Sequence, residues 1–210
     1  IEVQMERYSK LNYNHAKSAY LISISASLDS VKKEFGFELS NEMQSKEIRY
    51  TLDGKEPTIH STKYLKPFNV NKSTVVKAVA FHKGKAIGAV SEQKVYLHKA
   101  LFKPVTLKYT YYKYTGGGDL GLTNGIRGTK SYNDGNWQGF EQNNLEAIID
   151  LGDVKQINSI STDFLQNTNS WIFFPALVEY AISEDGASYS AIRKFEQPVT
   201  MGHREVEIKE

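Results

Sequence analysis

The chain of 210 residues contains no cysteine, so it has no disulfide scaffold, zinc–thiolate site or cysteine nucleophile. It also lacks a long apolar run: the stretch from Trp171 to Val178 is interrupted by Pro175 and falls short of the about 18 residues that a membrane helix needs. An excess of one charge is absent as well, since 26 Lys and Arg face 24 Asp and Glu. Nucleic-acid binders usually have a clear basic excess, so neither nucleic acid nor a membrane is a predicted partner.

What the chain does contain is enough material for a buried core, because 40% of its residues are hydrophobic and 12% are aromatic. The length fits one large or two small domains. Helical periodicity is confined to the start, where apolar residues recur at helical spacing from Ile1 to Leu11. This predicts a helix over residues 1–13, within a helical stub of residues 1–20.

Beyond this stub the hydrophobic pattern changes to alternation, which predicts half-buried strands. Lys83-Gly84-Lys85 lies between two such runs and predicts a tight hairpin. Three further runs follow Gly116-Gly117-Gly118, which is the predicted domain boundary. The predicted strands cover residues 20–28, 35–39, 48–52, 74–81, 86–90, 145–151, 157–165 and 178–183.

The predicted fold class is therefore all-β, with two small domains behind the helical stub. The first domain covers residues 21–98 and the second covers residues 118–210. Residues 99–117 are predicted to form a linker strand. Its tract from Tyr109 to Tyr114 alternates Tyr with Thr and Lys, as ordinary strands do, so we assign it no binding role.

Motifs for catalysis are missing from the sequence. It has no nucleophile elbow, no His-Glu-x-x-His and no phosphate-binding loop. Its five histidines are scattered, with no pair at helical spacing, and its Asp-Gly pairs are typical of turns. No catalytic residue is predicted, and the chain itself is not expected to be an enzyme.

One family resemblance rests on the segment from Tyr50 to Thr58, Tyr-Thr-Leu-Asp-Gly-Lys-Glu-Pro-Thr, followed by an apolar strand at residues 75–81. This pattern resembles the immunoglobulin-like domain found C-terminal to the catalytic barrel of bacterial chitobiases and β-N-acetylhexosaminidases, which form glycoside hydrolase family 20. The resemblance covers residues 21–98 and implies an immunoglobulin-like β-sandwich without chemistry of its own. Asp53 would serve its turn, and residues 1–20 resemble the exit from the barrel.

A second resemblance rests on the order of four segments in residues 118–210. They are residues 122–128, the run Tyr-Asn-Asp-Gly-Asn-Trp-Gln-Gly-Phe from Tyr132, residues 170–175 and the Ser-Glu-Asp-Gly turn from Ser183. Together they resemble a discoidin domain, also called a coagulation factor type C domain, whose sugar-binding branch is carbohydrate-binding module family 32. This implies a jelly-roll β-sandwich, here incomplete because the usual closing strands are missing from residues 118–210.

The discoidin resemblance implies a shallow sugar site on loops at one end of the sandwich. A pyranose stacks its C–H face on an aromatic ring, and its hydroxyls bond to amide, carboxylate and guanidinium groups. Core packing is the alternative role for each tryptophan, and bracing of the loop is the alternative for Arg127 and Tyr132. The candidate ligand-binding residues are Arg127, Tyr132, Asp134, Trp137, Gln138, Asn169 and Trp171.

Discoidin-type modules often hold one structural calcium ion near the first loop. Calcium takes six to eight oxygen ligands, and Asn124 and Asp134 are the candidates here. A further ligand in such domains comes from the closing strand, whose absence counts against the ion. No other cofactor is implied.

The two resemblances together imply a non-catalytic accessory region of an exported bacterial β-N-acetylhexosaminidase, in the periplasm, at the cell surface or secreted. Its partners would be glycans with terminal N-acetylglucosamine or galactose, and the catalytic barrel. The alternative is a structural spacer or dimerisation region that buttresses the barrel, since a missing strand leaves a sheet edge on which a homodimer can form. An independent enzyme would instead hydrolyse a chromogenic N-acetylglucosaminide, and we expect no such activity.

Overall fold

Short strands account for nearly all regular structure in the computed structural model, which describes residues 7–8, 11, 18–43, 47–196 and 205–210. The all-β prediction is confirmed. The helix predicted over residues 1–13 lies mostly outside the described residues, although the Leu11 amide donates to the Arg7 carbonyl at 3.1 Å. None of the helices in the described ranges has the length and apolar character needed to cross a membrane.

The element bounds are as follows. The strands are β1 (Ser23–Asp29), β2 (Glu34–Ser40), β3 (Ile48–Thr51), β4 (Thr62–Lys63), β5 (Phe68–Val70), β6 (Thr74–His82), β7 (Lys85–Val95), β8 (Val105–Leu107), β9 (Ala147–Ile149), β10 (Phe164–Gln166), β11 (Leu177–Ile182), β12 (Ser190–Glu196) and β13 (Glu207–Lys209). Single-turn 3-10 helices occupy Ser18–Tyr20, Gly118–Leu120 and Thr168–Ser170.

The chain divides into two compact units, Ile1–Leu97 and His98–Glu210. Strands β1 to β7 belong to the first unit and β8 to β13 to the second. Residues 99–117, for which a linker strand is predicted, lie within the second unit, where β8 pairs with β9. Gly116–Gly118, the predicted boundary, lies in the second unit as well.

Two antiparallel sheets build the first unit, in the orders β1-β2-β5 and β4-β3-β6-β7. Along β2 the side chains alternate, so that Phe35, Phe37 and Leu39 are buried and their neighbours are less so. Residues from both sheets share one apolar core, in which Leu39 of the first sheet packs with Ile48 and Ala78 of the second. The two sheets therefore form a β-sandwich.

A stack of aromatic rings joins the two sheets of the sandwich. Phe68 of β5 stacks on Tyr50 of β3, with ring centroids 4.5 Å apart and planes 10° apart. Phe37 of β2 also stacks with Phe68, with ring centroids 5.5 Å apart, and Tyr64 meets Phe68 edge-on at 6.4 Å. Burial, and then the neighbouring Tyr64, raises the pKa of the Tyr50 phenol.

Two turns of the first unit follow directly from their sequences. Lys83 and Gly84 both have positive φ, 50° and 77°, as the tight hairpin turn between β6 and β7 requires, so the predicted hairpin is confirmed. At the other predicted turn, Asp53 accepts the Lys55 amide at 3.2 Å, and Gly54 donates to the Val75 carbonyl. These bonds agree with a structural role for Asp53.

The second unit contains three two-stranded antiparallel ladders in its described part: β8 with β9, β10 with β13, and β11 with β12. The strand predicted at residues 178–183 is confirmed by β11. The strand predicted at residues 157–165 is wrong for residues 157–163, because only Phe164 and Leu165 have a paired strand there, in β13. A strand exists only through its ladder, and residues 157–163 have no hydrogen-bonded partner strand.

Burial differs sharply between the two units. In the described part of the second unit the buried large hydrophobic residues are Leu165 and Phe174. All seven residues of β12 are exposed, as are all three of β9. The apolar strands of this unit are thus open to solvent in this chain. Large hydrophobic residues exposed on them include Ile148, Ile149, Leu177, Ile182, Ile192 and Phe195.

The core of the first unit generates a stability prediction. Phe37 is 1% exposed, so Phe37→Ala should lower the free energy of unfolding of this unit by about 3–5 kcal/mol through lost burial and a cavity. Both tryptophans lie in the second unit, so the loss should be measured by hydrogen exchange of the amides of β2 and β6 in the full chain. Val31→Ala, at a residue 90% exposed, is the matched control and should change stability by less than about 0.5 kcal/mol. A similar effect of the two variants would contradict this core.

The turn after β11 generates a pH prediction. The amides of Ser188 and Ala187 and the Ser183 hydroxyl donate to Asp185, and these bonds lower the pKa of its carboxyl to about 2. The folded pKa lies below the ordinary value of 3.8, so the ionised carboxylate stabilises the turn above about pH 4, and this support is lost as the pH falls through about 2. A carbon-13 NMR titration should find the Asp185 carboxyl still ionised at about pH 3. Titration with a midpoint near 3.8 would show that the turn does not hold its carboxylate in this way.

Candidate functional site

The loop from Asn124 to Gln138 is held in shape by its own polar side chains. The two carboxylate oxygens of Asp134 accept the amides of Thr129 at 2.5 Å and Asn136 at 2.8 Å. The Asn124 side-chain oxygen accepts the Ile126 amide at 2.8 Å. Asp134 and Asn124 therefore fold back on their own loop, as Asp and Asn do in turns.

The same bonds decide how well these residues suit calcium. Amide hydrogens already face the oxygens of Asn124 and Asp134, and these two side chains supply one carboxylate where calcium takes six to eight oxygens. No group of three or more His, Asp or Glu side chains that could hold a metal ion occurs in the part of the chain that the structure describes. The donor set of Asn124 and Asp134 does not fit a calcium site.

The Trp137 side chain packs against its own loop. Its indole N–H donates to the Thr129 carbonyl at 2.8 Å, and the side chain is half-buried. The ring lies directly against Gly128, where a Cβ atom would collide with it. Trp137 thus braces the loop through its own N–H and ring.

Arg127 connects the loop to two other segments of the second unit. Its guanidinium donates to the Ser161 hydroxyl at 2.8 Å and pairs with Asp163 at 3.3 Å and Glu210 at 3.5 Å. Burial and then the Arg127 charge lower the pKa of His98. These partners tie the loop to the residues just before β10 and just after β13, which is the bracing role left open by the sequence.

Gln138 ends the loop and holds the glycine-rich turn at Gly116–Gly118. Its side-chain amide donates to the Gly118 carbonyl at 2.8 Å and more weakly to that of Thr115. Its side-chain oxygen is buried and has no partner among the described residues. Tyr132, in the same loop, is half-exposed and meets Tyr114 edge-on.

Trp171 is presented quite differently, at the tip of a tight turn. Asn167 and Ile172 exchange two backbone hydrogen bonds, of 2.9 and 3.1 Å, and so close a turn of four residues. The last of these, Trp171, takes the left-handed conformation with φ 58° and ψ 31°, which glycine or asparagine usually occupies. Its side chain is 80% exposed, and its ring has Phe173 edge-on at 6.3 Å.

The residues of the turn that precede Trp171 are polar but uncharged. Asn169 is exposed beside it, and Asn167, Thr168 and Ser170 complete the turn. No ionisable residue occurs anywhere from Gln166 to Val178. The turn therefore offers an aromatic ring, amides and hydroxyls to a ligand without formal charge.

The predicted site residues fall into two groups in this structure. Asn169 and Trp171 lie in the turn that follows β10, whereas Arg127 bonds to residues that precede β10. Strand β10 has three residues, and at about 3.3 Å per residue it separates the segment bonded to Arg127 from the Trp171 turn by about 10 Å along the strand. Tyr132, Asp134, Trp137 and Gln138 belong with the loop that Arg127 braces.

Sequence reasoning missed two features of these loops. Tyr114, which lies against Tyr132, belongs to the tract predicted to be ordinary strand, yet residues 108–114 lie outside any strand. A tyrosine-rich segment next to three glycines was the available signal. The left-handed conformation of Trp171 was missed as well, and the turn composition of residues 167–170 was the signal for it.

Comparison with known families bears on the first unit. The family model described as Fn3 associated, Fn3_assoc, matches residues 37–95, from the middle of β2 to the end of β7. The chain is thus similar over this segment to a fibronectin-III-associated domain, which is compatible with an immunoglobulin-like region. No curated protein matches the chain.

The contrast between the two indoles can be tested directly. Trp171→Phe replaces an exposed indole by a phenyl ring, so it should change the free energy of unfolding by less than about 0.5 kcal/mol. Trp137→Phe leaves the Thr129 carbonyl without its donor and should cost about 1–3 kcal/mol. Denaturant unfolding measures both, and the emission maximum should move to shorter wavelength in Trp171→Phe, since only half-buried Trp137 then emits. Equal costs, or a shift to longer wavelength, would contradict these placements.

Proposed function

We propose that this chain is a non-catalytic accessory region whose second unit binds terminal sugars, of the N-acetylglucosamine or galactose type, through the turn that carries Trp171. One observation carries this proposal: a large indole is held in a left-handed backbone conformation and is exposed to water. Such a conformation costs of order 1 kcal/mol or more for a residue with a side chain, and exposure brings no packing in return. Binding is the role that accounts for the residue at this place.

The chemistry of the turn supports a neutral sugar. The exposed ring suits the C–H face of a pyranose, which loses little entropy on stacking because the ring is rigid. Amides of Asn167 and Asn169 both donate and accept hydrogen bonds, as sugar hydroxyls require. Without ionisable groups from Gln166 to Val178, the turn offers no ion pair to an acidic sugar. A single open ring buries little area, so the affinity should be weak.

The first unit fits the role of a rigid spacer. Its residues form a closed apolar core and a stack of aromatic rings, and none of the residues of the proposed sugar site belongs to it. In the parent protein implied by the sequence resemblance, an exported bacterial β-N-acetylhexosaminidase, the spacer would link the catalytic barrel to the sugar-binding unit. Tethering of this kind raises the effective concentration of substrate at the distant active site.

A second candidate function is supported by the exposed strands of the second unit. All residues of strand β12 are exposed. Phe195 of β12 and Ile182 of its partner strand β11 are both about half exposed. Such strands favour packing against the catalytic barrel or against another copy of the chain. In that case the second unit is a buttress, and loss of Trp171 leaves its function unchanged.

The variant Trp171→Gly separates the two candidates. Glycine takes the left-handed conformation without strain, so stability should stay the same or rise by up to about 1 kcal/mol. Sugar binding should be lost, because glycine offers no ring. Calorimetric titration with N-acetylglucosamine and with galactose at millimolar concentration, together with thermal unfolding, measures both effects.

Tyr189→Ala is the matched control, since Tyr189 is an exposed aromatic residue of the same unit outside the turn, and this variant should bind sugar like the original protein. Absence of any saturable heat or NMR shift with the original protein would count against the proposal. Undiminished sugar binding by Trp171→Gly would exclude this turn as the site.

A further inference from the structure

Strand β1 forms an edge of the first unit and offers a regular backbone to a further strand. The order of its sheet is β1-β2-β5, so β2 is the one strand that pairs with β1 in the part of the chain that the structure describes. The pairing runs from Ser23 with Ser40 to Asp29 with Glu34 without a shift of register. Alternate backbone N–H and C=O groups of such a strand point away from its neighbour, in a row that another strand can use.

The other edge strands of the first unit are blocked in ways that proteins commonly use. Strand β4 has two residues and β5 has three, which leaves a further strand little to pair with. Strand β7 is long, but its pairing with β6 shifts register between Ala78 and Ala80. It also carries the charged residues Lys85, Glu92 and Lys94. Strand β1 has no charged residue, proline or glycine from Ser23 to Leu28, so among the described edges of this unit it is the open one.

The sequence of β1 reads almost the same in both directions from Ala26. Serines flank Ala26 on both sides, and Ile24 and Leu28 lie two residues away on either side. If two copies of this strand pair antiparallel about a two-fold axis at Ala26, Ile24 of each copy lies opposite Leu28 of the other. Serine lies opposite serine in the same register. Apolar residues therefore meet apolar residues and polar residues meet polar ones, as a self-complementary interface requires.

Charge is also compatible with pairing of two β1 strands. Asp29 is the one charged residue of β1, and it lies opposite Ser23 of the second copy in this register. Its carboxylate already accepts the amides of Val31 and Lys32 at 3.0 Å each, in the turn that follows β1. No two like charges of β1 therefore face each other across the axis.

Burial along β1 leaves apolar surface that a second copy would cover. Three apolar residues of the strand are half-buried: Ile24, Ala26 and Leu28. Each is paired with a buried residue of β2, as Ala26 is with Phe37. Ile24 packs against the apolar core of the unit. A further strand at this edge would extend the apolar rows of the sheet and remove more of these side chains from water.

We infer that β1 is a homodimer interface, at which two copies of this chain pair antiparallel about a two-fold axis at Ala26. Pairing joins the three-stranded sheets of the two copies into one sheet with the order β5-β2-β1-β1-β2-β5. One strand from each copy is a small interface compared with the about 1,600 Å² of a standard one, so the dimer should be weak. This inference concerns the first unit and requires neither the sugar site nor the exposed strands of the second unit.

Sedimentation velocity of the full chain tests this inference over micromolar to millimolar concentrations. We expect a reversible equilibrium between monomer and dimer. Ser25 and Ser27 are exposed and lie opposite each other across the axis, so Ser25→Lys combined with Ser27→Lys places two pairs of like charges in contact. This double variant should weaken the dimer by about tenfold. Ser25→Lys combined with Ser27→Glu is the matched control, which places opposite charges in contact and should dimerise at least as well as the original protein.

A cross-link tests the position of the axis. The chain has no cysteine, so Ala26→Cys introduces a single thiol. Residues directly opposite each other in antiparallel strands have Cα atoms about 4.5–5.5 Å apart, which a disulfide can bridge. Mild oxidation of Ala26→Cys should therefore give a covalent dimer. Val31→Cys is the control, because Val31 is 90% exposed but lies beyond the end of β1, and it should cross-link at least about tenfold more slowly.

The outcomes separate this interface from others. A protein that stays monomeric at millimolar concentration would overturn the inference. A dimer that Ser25→Lys combined with Ser27→Lys leaves unchanged would overturn it too, and would place the contact elsewhere, as on the exposed strands of the second unit. If that variant does not fold, the cross-link decides, since failure of Ala26→Cys to form a disulfide-linked dimer excludes the axis at Ala26. None of these results bears on sugar binding at Trp171.

Discussion

Two reciprocal backbone hydrogen bonds between Asn167 and Ile172 are the constraint on which the proposed sugar site depends. They leave four residues to reverse the chain, and the last of these must turn left-handed to bring Ile172 back into register. The strain of the Trp171 backbone therefore originates in the closure of the turn.

The two units differ in how their polar and aromatic residues are used. In the first unit aromatic rings stack between the sheets, and the polar residues of the Asp53 turn bond to their own backbone, so the sandwich is closed and stiff. In the second unit the rings of Trp171 and Tyr112 lie outside. Loops carried by a rigid scaffold are the usual place for recognition, and the proposed roles of the two units, a spacer and a sugar-binding unit, follow from this difference.

Features that depend only on neighbouring residues, such as a buried strand face and a tight turn, were predicted from the sequence. The alternation of Phe35, Phe37 and Leu39 predicted the buried face of β2. Lys83-Gly84 predicted the tight turn between β6 and β7, because two residues with positive φ match the twist of the strands they join. Pairing between distant segments could not be predicted in the same way. Residues 157–163 were predicted to be part of a strand, but they have no paired strand, so a local pattern alone was misleading there.

The candidate site shows the same limit for single residues. Trp137 and Trp171 occur in similar polar loops, and composition does not distinguish them. The difference arises from the Thr129 carbonyl, which captures one indole N–H, and from Gly128, which leaves room for that ring. Both contacts are properties of the folded loop, and so the sequence alone left core packing and sugar binding open for each tryptophan.

The open hairpin of β11 and β12 has a consequence for the behaviour of the protein at high concentration. A long, flat, apolar edge would template pairing between molecules and lead to aggregation. This hairpin counters that tendency with an irregularity in its ladder after Tyr180 and with the charges of Arg193 and Lys194 beside its apolar residues. An edge that is both interrupted and charged in this way is a poor template for a further strand, so the hairpin can stay open without recruiting the edges of other molecules.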